Sequence, residues 1–165
     1  MSTRALIGTE HPSGRYLARR IHHDGYPRAV VPSLTAIVHH VHGGDLTAAV
    51  AALTATHWSG LRHPAALTGP GNAIGTPSEF PDPPLAGCLA DEHRGDQEWA
   101  YLISGHRIHG YLLVPRPRYR LAFVAIHCWH VHELPAITDA ELAAVQRAGY
   151  ARRRTERNTI TGERR

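Results

Sequence analysis

The sequence predicts an α+β domain: a mostly antiparallel sheet of about five strands, in the order β-β-α-α-β-β-β-α, with helices packed on it. Three observations predict this class. Apolar residues alternate near the start and again between residues 99 and 129. They recur at three- and four-residue spacing in between and near the end. Glycine and proline punctuate each change of period. At 165 residues the chain suffices for one domain with a complete core and is short for two.

Residues 4–9 and 15–23 are the first expected strands, with Tyr16 and Ala18 on one face and Leu17 and Ile21 on the other. Pro12-Ser13-Gly14 turns the chain between them, so they read as a hairpin. After Asp24-Gly25-Tyr26-Pro27 the period changes. Val30, Leu34, Ile37, Val38 and Val41 mark one face of a helix that Gly43-Gly44 ends. Asp45 is placed to cap a second, alanine-rich helix from 46 to about 56, with Leu46, Val50 and Leu53 inward.

Residues 62–95 are dense in proline and glycine and lack a period, so a long irregular loop is expected there, either functional or disordered. Three strands follow at 99–104, 108–114 and 120–129, joined by Gly105-His106 and by Pro115-Arg116-Pro117-Arg118. The nearly unbroken apolar run in 120–128 marks a strand covered on both faces, expected at the centre of the sheet. Thr138-Asp139-Ala140-Glu141 has the capping-box pattern and opens a last helix that carries Leu142 and Val145 and ends in Arg152-Arg153-Arg154.

All 18 basic residues are arginine, which reads as the codon bias of a GC-rich, actinobacterial-type genome. The charge is uneven. Residues 1–151 carry 12 Arg against 12 Asp plus Glu, and 152–165 carry 6 Arg against Glu156 and Glu163. The expected organisation is a neutral domain over 1–151 and a basic tail over 152–165, so a pI near 9.5 reflects the tail rather than a nucleic-acid-binding surface on the domain. No stretch approaches the ~20 apolar residues that span a bilayer, and the opening residues lack a secretory apolar segment. A cytosolic protein without membrane contact is expected. Cys88 and Cys128 read as free thiols.

Two constellations point to chemistry. Ile21-His22-His23-Asp24-Gly25-Tyr26-Pro27 sets two imidazoles, a carboxylate and a phenol at a strand-to-helix junction, where binding sites often form. Arg116, Arg118 and Arg120 alternate along a strand start and would present one cationic face. Together with His22, His23, Asp24 and Tyr26 they make the expected binding site for an anionic ligand, a nucleotide or nucleic acid, with no cofactor. The second constellation is Ile126-His127-Cys128-Trp129-His130-Val131-His132. On a strand Cys128, His130 and His132 would share one face and offer three ligands to zinc or another divalent transition metal. That alternative is a small metal-dependent hydrolase, with Asp24 or His22 as base. The cluster His39, His40 and His42 reads as the exposed side of a helix. A third alternative is a scaffold or inhibitor that meets a protein partner through 62–95.

Arg4-Ala5-Leu6-Ile7-Gly8 followed by Ile21-His22-His23-Asp24-Gly25-Tyr26-Pro27 resembles a group of small phage and actinobacterial proteins. These begin with a Ser-Leu-Ile-Gly-like strand and carry a His-Trp-Asp-Gly-Tyr-Pro signature. The likeness spans about the first 60 residues and, more loosely, the 98–102 strand. His23 stands where the group has tryptophan. The resemblance implies an accessory protein of a phage or mobile element, with His22, Asp24, Gly25, Tyr26 and Pro27 as residues of interest. It implies no particular reaction.

Overall fold

A hairpin begins the sheet, as its alternation and turn require. β1 (Ala5–Glu10) and β2 (Arg15–Ile21) pair antiparallel, from Ala5 opposite Ile21 to Glu10 opposite Tyr16. The computed structural model describes residues 3–79, 83–92 and 95–162. After the hairpin, α1 (Pro27–Ala36) runs on as a π-helical turn (Ile37–Val41) and reverses at Gly43 and Gly44, both at positive φ. α2 (Leu46–Leu53) follows, its first turn capped by the Asp45 carboxylate, which accepts the Ala48 N–H at 3.0 Å. Then come β3 (Trp58–Leu61), β4 (Gly75–Pro77), β5 (Leu85–Cys88), β6 (Trp99–Ser104), β7 (Arg107–Arg116), β8 (Arg120–His130) and α3 (Asp139–Gly162).

The sheet has 8 strands in the order β4-β3-β2-β1-β6-β7-β8, with β5 also on β2. It is mixed, since β1 runs parallel to β6 and β2 parallel to β3. The expectation of about five mostly antiparallel strands is corrected on both counts. β3, β4 and β5 are three or four residues long, too short to display alternation, and two of them lie inside the stretch taken for a loop. Of that stretch, residues 80–82 and 93–94 lie outside the described residues.

Both faces of the sheet are covered. On one face Ile7, Ile21, Trp99, Tyr101, Leu112 and Trp129 pack against Val30, Leu34, Ile37, Leu53, Leu142 and Val145 of the helices. On the other, Leu6, Tyr16, Leu102, Tyr111, Leu113 and Phe123 lie under Leu85 and Leu89. The segment carrying those two leucines ties the sheet's sides together. Leu89 N–H donates to Gly14 O at 2.9 Å beside β2, while Leu89 O accepts the Phe123 N–H and Leu121 O accepts the Glu92 N–H on β8. The sheet curls to make this span possible. Within the closed face the buried Glu92 carboxylate accepts the Tyr16 hydroxyl.

This closure corrects the placement of β8. It is the last strand of the order rather than a central one, and its apolar run is buried only at Ala122 and Phe123, where the 85–92 segment lies on it, while Val124 and Ile126 are half-buried toward the helix side and Ala125 and Cys128 are exposed. The basic tail is corrected too: α3 continues through Gly162, and residues 163–165 lie outside the described residues. Glu156 accepts from Arg116 at 2.8 Å and from Arg152 at 3.0 Å, so part of the arginine cluster is neutralised on the helix itself. The capping box forms as the sequence requires, with Glu141 accepting the Thr138 N–H at 2.7 Å. No helix of the described residues is long and apolar enough to cross a membrane.

Candidate functional site

Backbone bonds fix the junction after β2 from three directions. His22 N–H donates to Trp58 O at 2.9 Å, His23 N–H to Ser59 O at 3.0 Å and Gly25 N–H to Thr3 O at 2.8 Å. The buried Tyr101 hydroxyl donates to Gly25 O at 3.0 Å. Gly25 has to be glycine, because a Cβ there would lie 2.7 Å from both the Cβ and the N of Ala5. Asp24, caught between these anchors, sits at φ 54°. A left-handed conformation at a residue with a side chain costs roughly 1 kcal/mol and persists only where the surroundings impose it.

This bend sets His23 and Asp24 at the lip of a cleft of ≈ 470 Å³, lined also by Tyr26, Arg28, Ser33, His63 and Asp139 and by apolar groups such as Val30 and Leu61. Arg28 dominates its electrostatics. Its Nε and Nη2 donate to the two Asp139 carboxylate oxygens at 2.8 and 2.7 Å. The pair holds the Asp139 carboxyl below its ordinary range, chiefly through that hydrogen bond. The two side chains are 48% and 69% exposed, so water screens the pair and a competing anion has access to the guanidinium. α1 begins here as well. Tyr26 at its N-cap offers no side-chain bond and the first turn holds no acidic residue, but Pro27 has no N–H and the Ala29 and Val30 N–H groups both donate to Tyr26 O at 3.0 Å, so the positive charge here is carried by the Arg28 guanidinium rather than by the backbone.

His23, Asp24 and Tyr26 therefore come together, and His22 does not join them. His22 lies toward Arg4, Arg20 and His57, and burial first, then the charges of Arg20 and Arg4, push its imidazole below the ordinary histidine range. Sequence reasoning missed Arg28, His63 and Asp139. Arg28 had one visible signal: an arginine in a helix's first turn opposes the macrodipole and needs an anion nearby. His57 was missed too. Buried beside β2, it accepts the Arg20 N–H at Nδ1 (2.7 Å) and sits 3.0 Å through Nε2 from Pro83 O, which holds the chain before β5 in place.

The arginine stripe is elsewhere and is corrected. Residues 117–119 form a 3₁₀ turn with Arg118 at φ 61°, so the alternation of Arg116, Arg118 and Arg120 is broken. Arg116 pairs with Glu156 at 2.8 Å, and Arg120 lies 3.9 Å from Asp91. None of the three lines the cleft, and β1 and β6 lie between β2 and the β7–β8 turn.

The metal grouping is corrected for a similar reason. β8 stops at His130 and the chain enters a 3₁₀ segment (Val131–Ala136), so His132 leaves the strand alternation, although its ring lies 5.5 Å from that of His130. Among the described residues no three of His, Cys, Asp or Glu gather as metal ligands would. Nor do these histidines meet the junction. Ile21 is level with Ala5 and Trp99, whereas His130 is level with Arg107 and Ser104, at the other end of β6. That is about 17 Å along the strands. His39 and His40 serve structure, bonding to Val131 O and Leu67 O at 3.0 and 3.1 Å.

No family model, curated protein or solved structure matches the chain.

Proposed function

We propose that this protein is a non-enzymatic binding protein for a small anionic ligand, of the nucleotide class, seated at the start of α1 between His23, Arg28 and His63. The observation that carries this reading is the exposed Arg28–Asp139 pair at the start of α1, with Asp139 standing as the resident anion that a ligand's phosphate or carboxylate replaces. The cleft's ≈ 470 Å³ suits a ligand of mononucleotide size. Ser33, the serine of the lining, gives its hydroxyl to Ala29 O at 3.0 Å, which supports holding over nucleophilic chemistry. An accessory role in a phage or mobile element rests on the resemblance of residues 21–27.

Calorimetry with adenosine monophosphate, inorganic phosphate and a single-stranded oligonucleotide, at low and high salt, tests it. Mononucleotide binding that weakens with salt is expected. Arg28→Ala abolishes it, whereas Asp139→Asn, which frees the guanidinium, tightens it about fivefold. Silence toward all three probes in both wild type and Asp139→Asn overturns the proposal, as does binding that Arg28→Ala leaves intact.

A further inference from the structure

A second concavity, of ≈ 590 Å³, lies between β8 and α3 and shares no lining residue with the cleft at α1. Its walls are Ile126 to Trp129 on the strand side and Ala144, Val145 and Ala148 on the helix, with Ala136 and Ile137 between. The small side chains of Ala144 and Ala148 leave the groove open. Two carboxylates, Glu133 and Glu141, belong to the lining, and among the described residues no arginine does, in a chain that has 18. The Thr138 N–H and hydroxyl donate to Glu141 and hold its carboxyl below the usual carboxylate range.

The strand that forms the groove is also an open edge. The 85–92 segment bonds the outer side of β8 only at Leu121 and Phe123, and among the described residues no backbone hydrogen bond reaches that side from Val124 to His130. Sheet edges are normally guarded by lysine, proline, other charge or a bulge. Val124-Ala125-Ile126-His127-Cys128-Trp129-His130 contains no lysine, arginine, proline or acidic residue, and its guard is one bulge. A single bulge leaves Ile126 without a partner on β7, and Ile126 packs toward the helix-side core beside the groove.

An edge free of lysine, proline and acidic residues, running along an apolar, acidic-rimmed groove, has the features of a strand-addition site. We infer that the groove receives an extended peptide segment of a partner protein, which pairs with β8, sets apolar side chains against Trp129 and Val145, and brings a lysine or arginine beside Glu133 and Glu141. The charge decides the class of partner. A symmetric dimer through β8 would set this groove beside its own copy, which carries the same two carboxylates, so the charge favours a different, basic partner segment.

Selection from a displayed random-peptide library on the full-length protein tests the inference, with Ala144→Arg, which fills the groove and reverses its charge, as the counter-target. Peptides with alternating apolar residues and a flanking Lys or Arg are expected. They should bind about tenfold more weakly to Ala144→Arg and to Ala148→Arg, and about threefold more weakly to Glu133→Gln. Circular dichroism identifies whichever arginine variant is folded, and hydrogen exchange should show new protection at amides within 124–130 when peptide binds. No enrichment over a folded counter-target overturns the inference. So does peptide binding that leaves those amides unprotected, or sedimentation showing a dimer that protects them without peptide.

Discussion

Among the described residues, two with side chains adopt left-handed backbone conformations, Asp24 at φ 54° and Arg118 at φ 61°, and they do so for different reasons. Arg118 sits in the exposed turn between β7 and β8, where reversing the chain is explanation enough. Asp24 sits between His23 and Gly25, whose amides are bound to β3 and to Thr3, and beside a glycine pressed on Ala5. One conformation serves a turn. The other is imposed by packing and sets a polar group at the mouth of a cleft, so the same dihedral has functional meaning only where its neighbours enforce it.

The strongest way to break this comparison is Gly25→Ala. The added methyl meets the backbone and Cβ of Ala5 at 2.7 Å, so β1 or the junction has to move. A loss of about 3 kcal/mol in denaturant unfolding is expected, together with loss of ligand binding. A loss under ~1 kcal/mol would show that the junction is not clamped, and the contrast with the β7–β8 turn would disappear.

A paired substitution sharpens it. Arg118→Gly and Asp24→Gly each relieve the positive-φ penalty, against the greater freedom that glycine gives the unfolded chain, and each should raise stability by about 0.5 kcal/mol. Their effects on binding should differ. Arg118→Gly leaves mononucleotide affinity unchanged, while Asp24→Gly removes a carboxylate from the lip of the cleft and alters it. Equal effects on affinity would mean that Asp24 is no more than a turn residue.

The hairpin, the three later strands and the helix starts were legible because each buries a stripe that repeats with its own period: Tyr16 and Ala18, Val30 and Leu34, Leu142 and Val145. What stayed hidden was non-local. β5 has the sequence Leu-Ala-Gly-Cys, four residues with no alternation, and becomes a strand only because the edge of β2 is there to pair with. The apolar run of β8 misled, because Ala125 and Cys128 are exposed on an edge strand that is covered on its second face only near Ala122 and Phe123, and a local pattern does not distinguish that from a central strand. At the site, the cluster His23, Asp24 and Tyr26 was visible as neighbours in the chain. Arg28 and Asp139 are 111 residues apart, and their bond depends on how α3 returns across α1. Arg116 and Arg120 looked like site residues because their partners, Glu156 and Asp91, lie on other elements and outside any local motif.

The smallest expected effect concerns the histidine that the fold turns away from the cleft. Burial is the main reason that His22 has a folded pKa below 6.5, and the positive charges of Arg20 and Arg4 lower it further, with smaller contributions from His57 and His23. Below 6.5 the unfolded chain therefore takes up the proton more readily than the folded one, so stability present at neutral pH is lost as pH falls below that value and levels off beneath the folded pKa. His22→Gln keeps a polar side chain there and removes the titration. Thermal unfolding at several pH values should show a shallower acid decline in the variant than in the wild type. Mononucleotide affinity should stay the same in both, because His22 is not part of the cleft lining. If the variant loses stability toward acid as steeply as the wild type, the acid sensitivity lies in other histidines; if it loses affinity, His22 belongs with His23 and Asp24 after all.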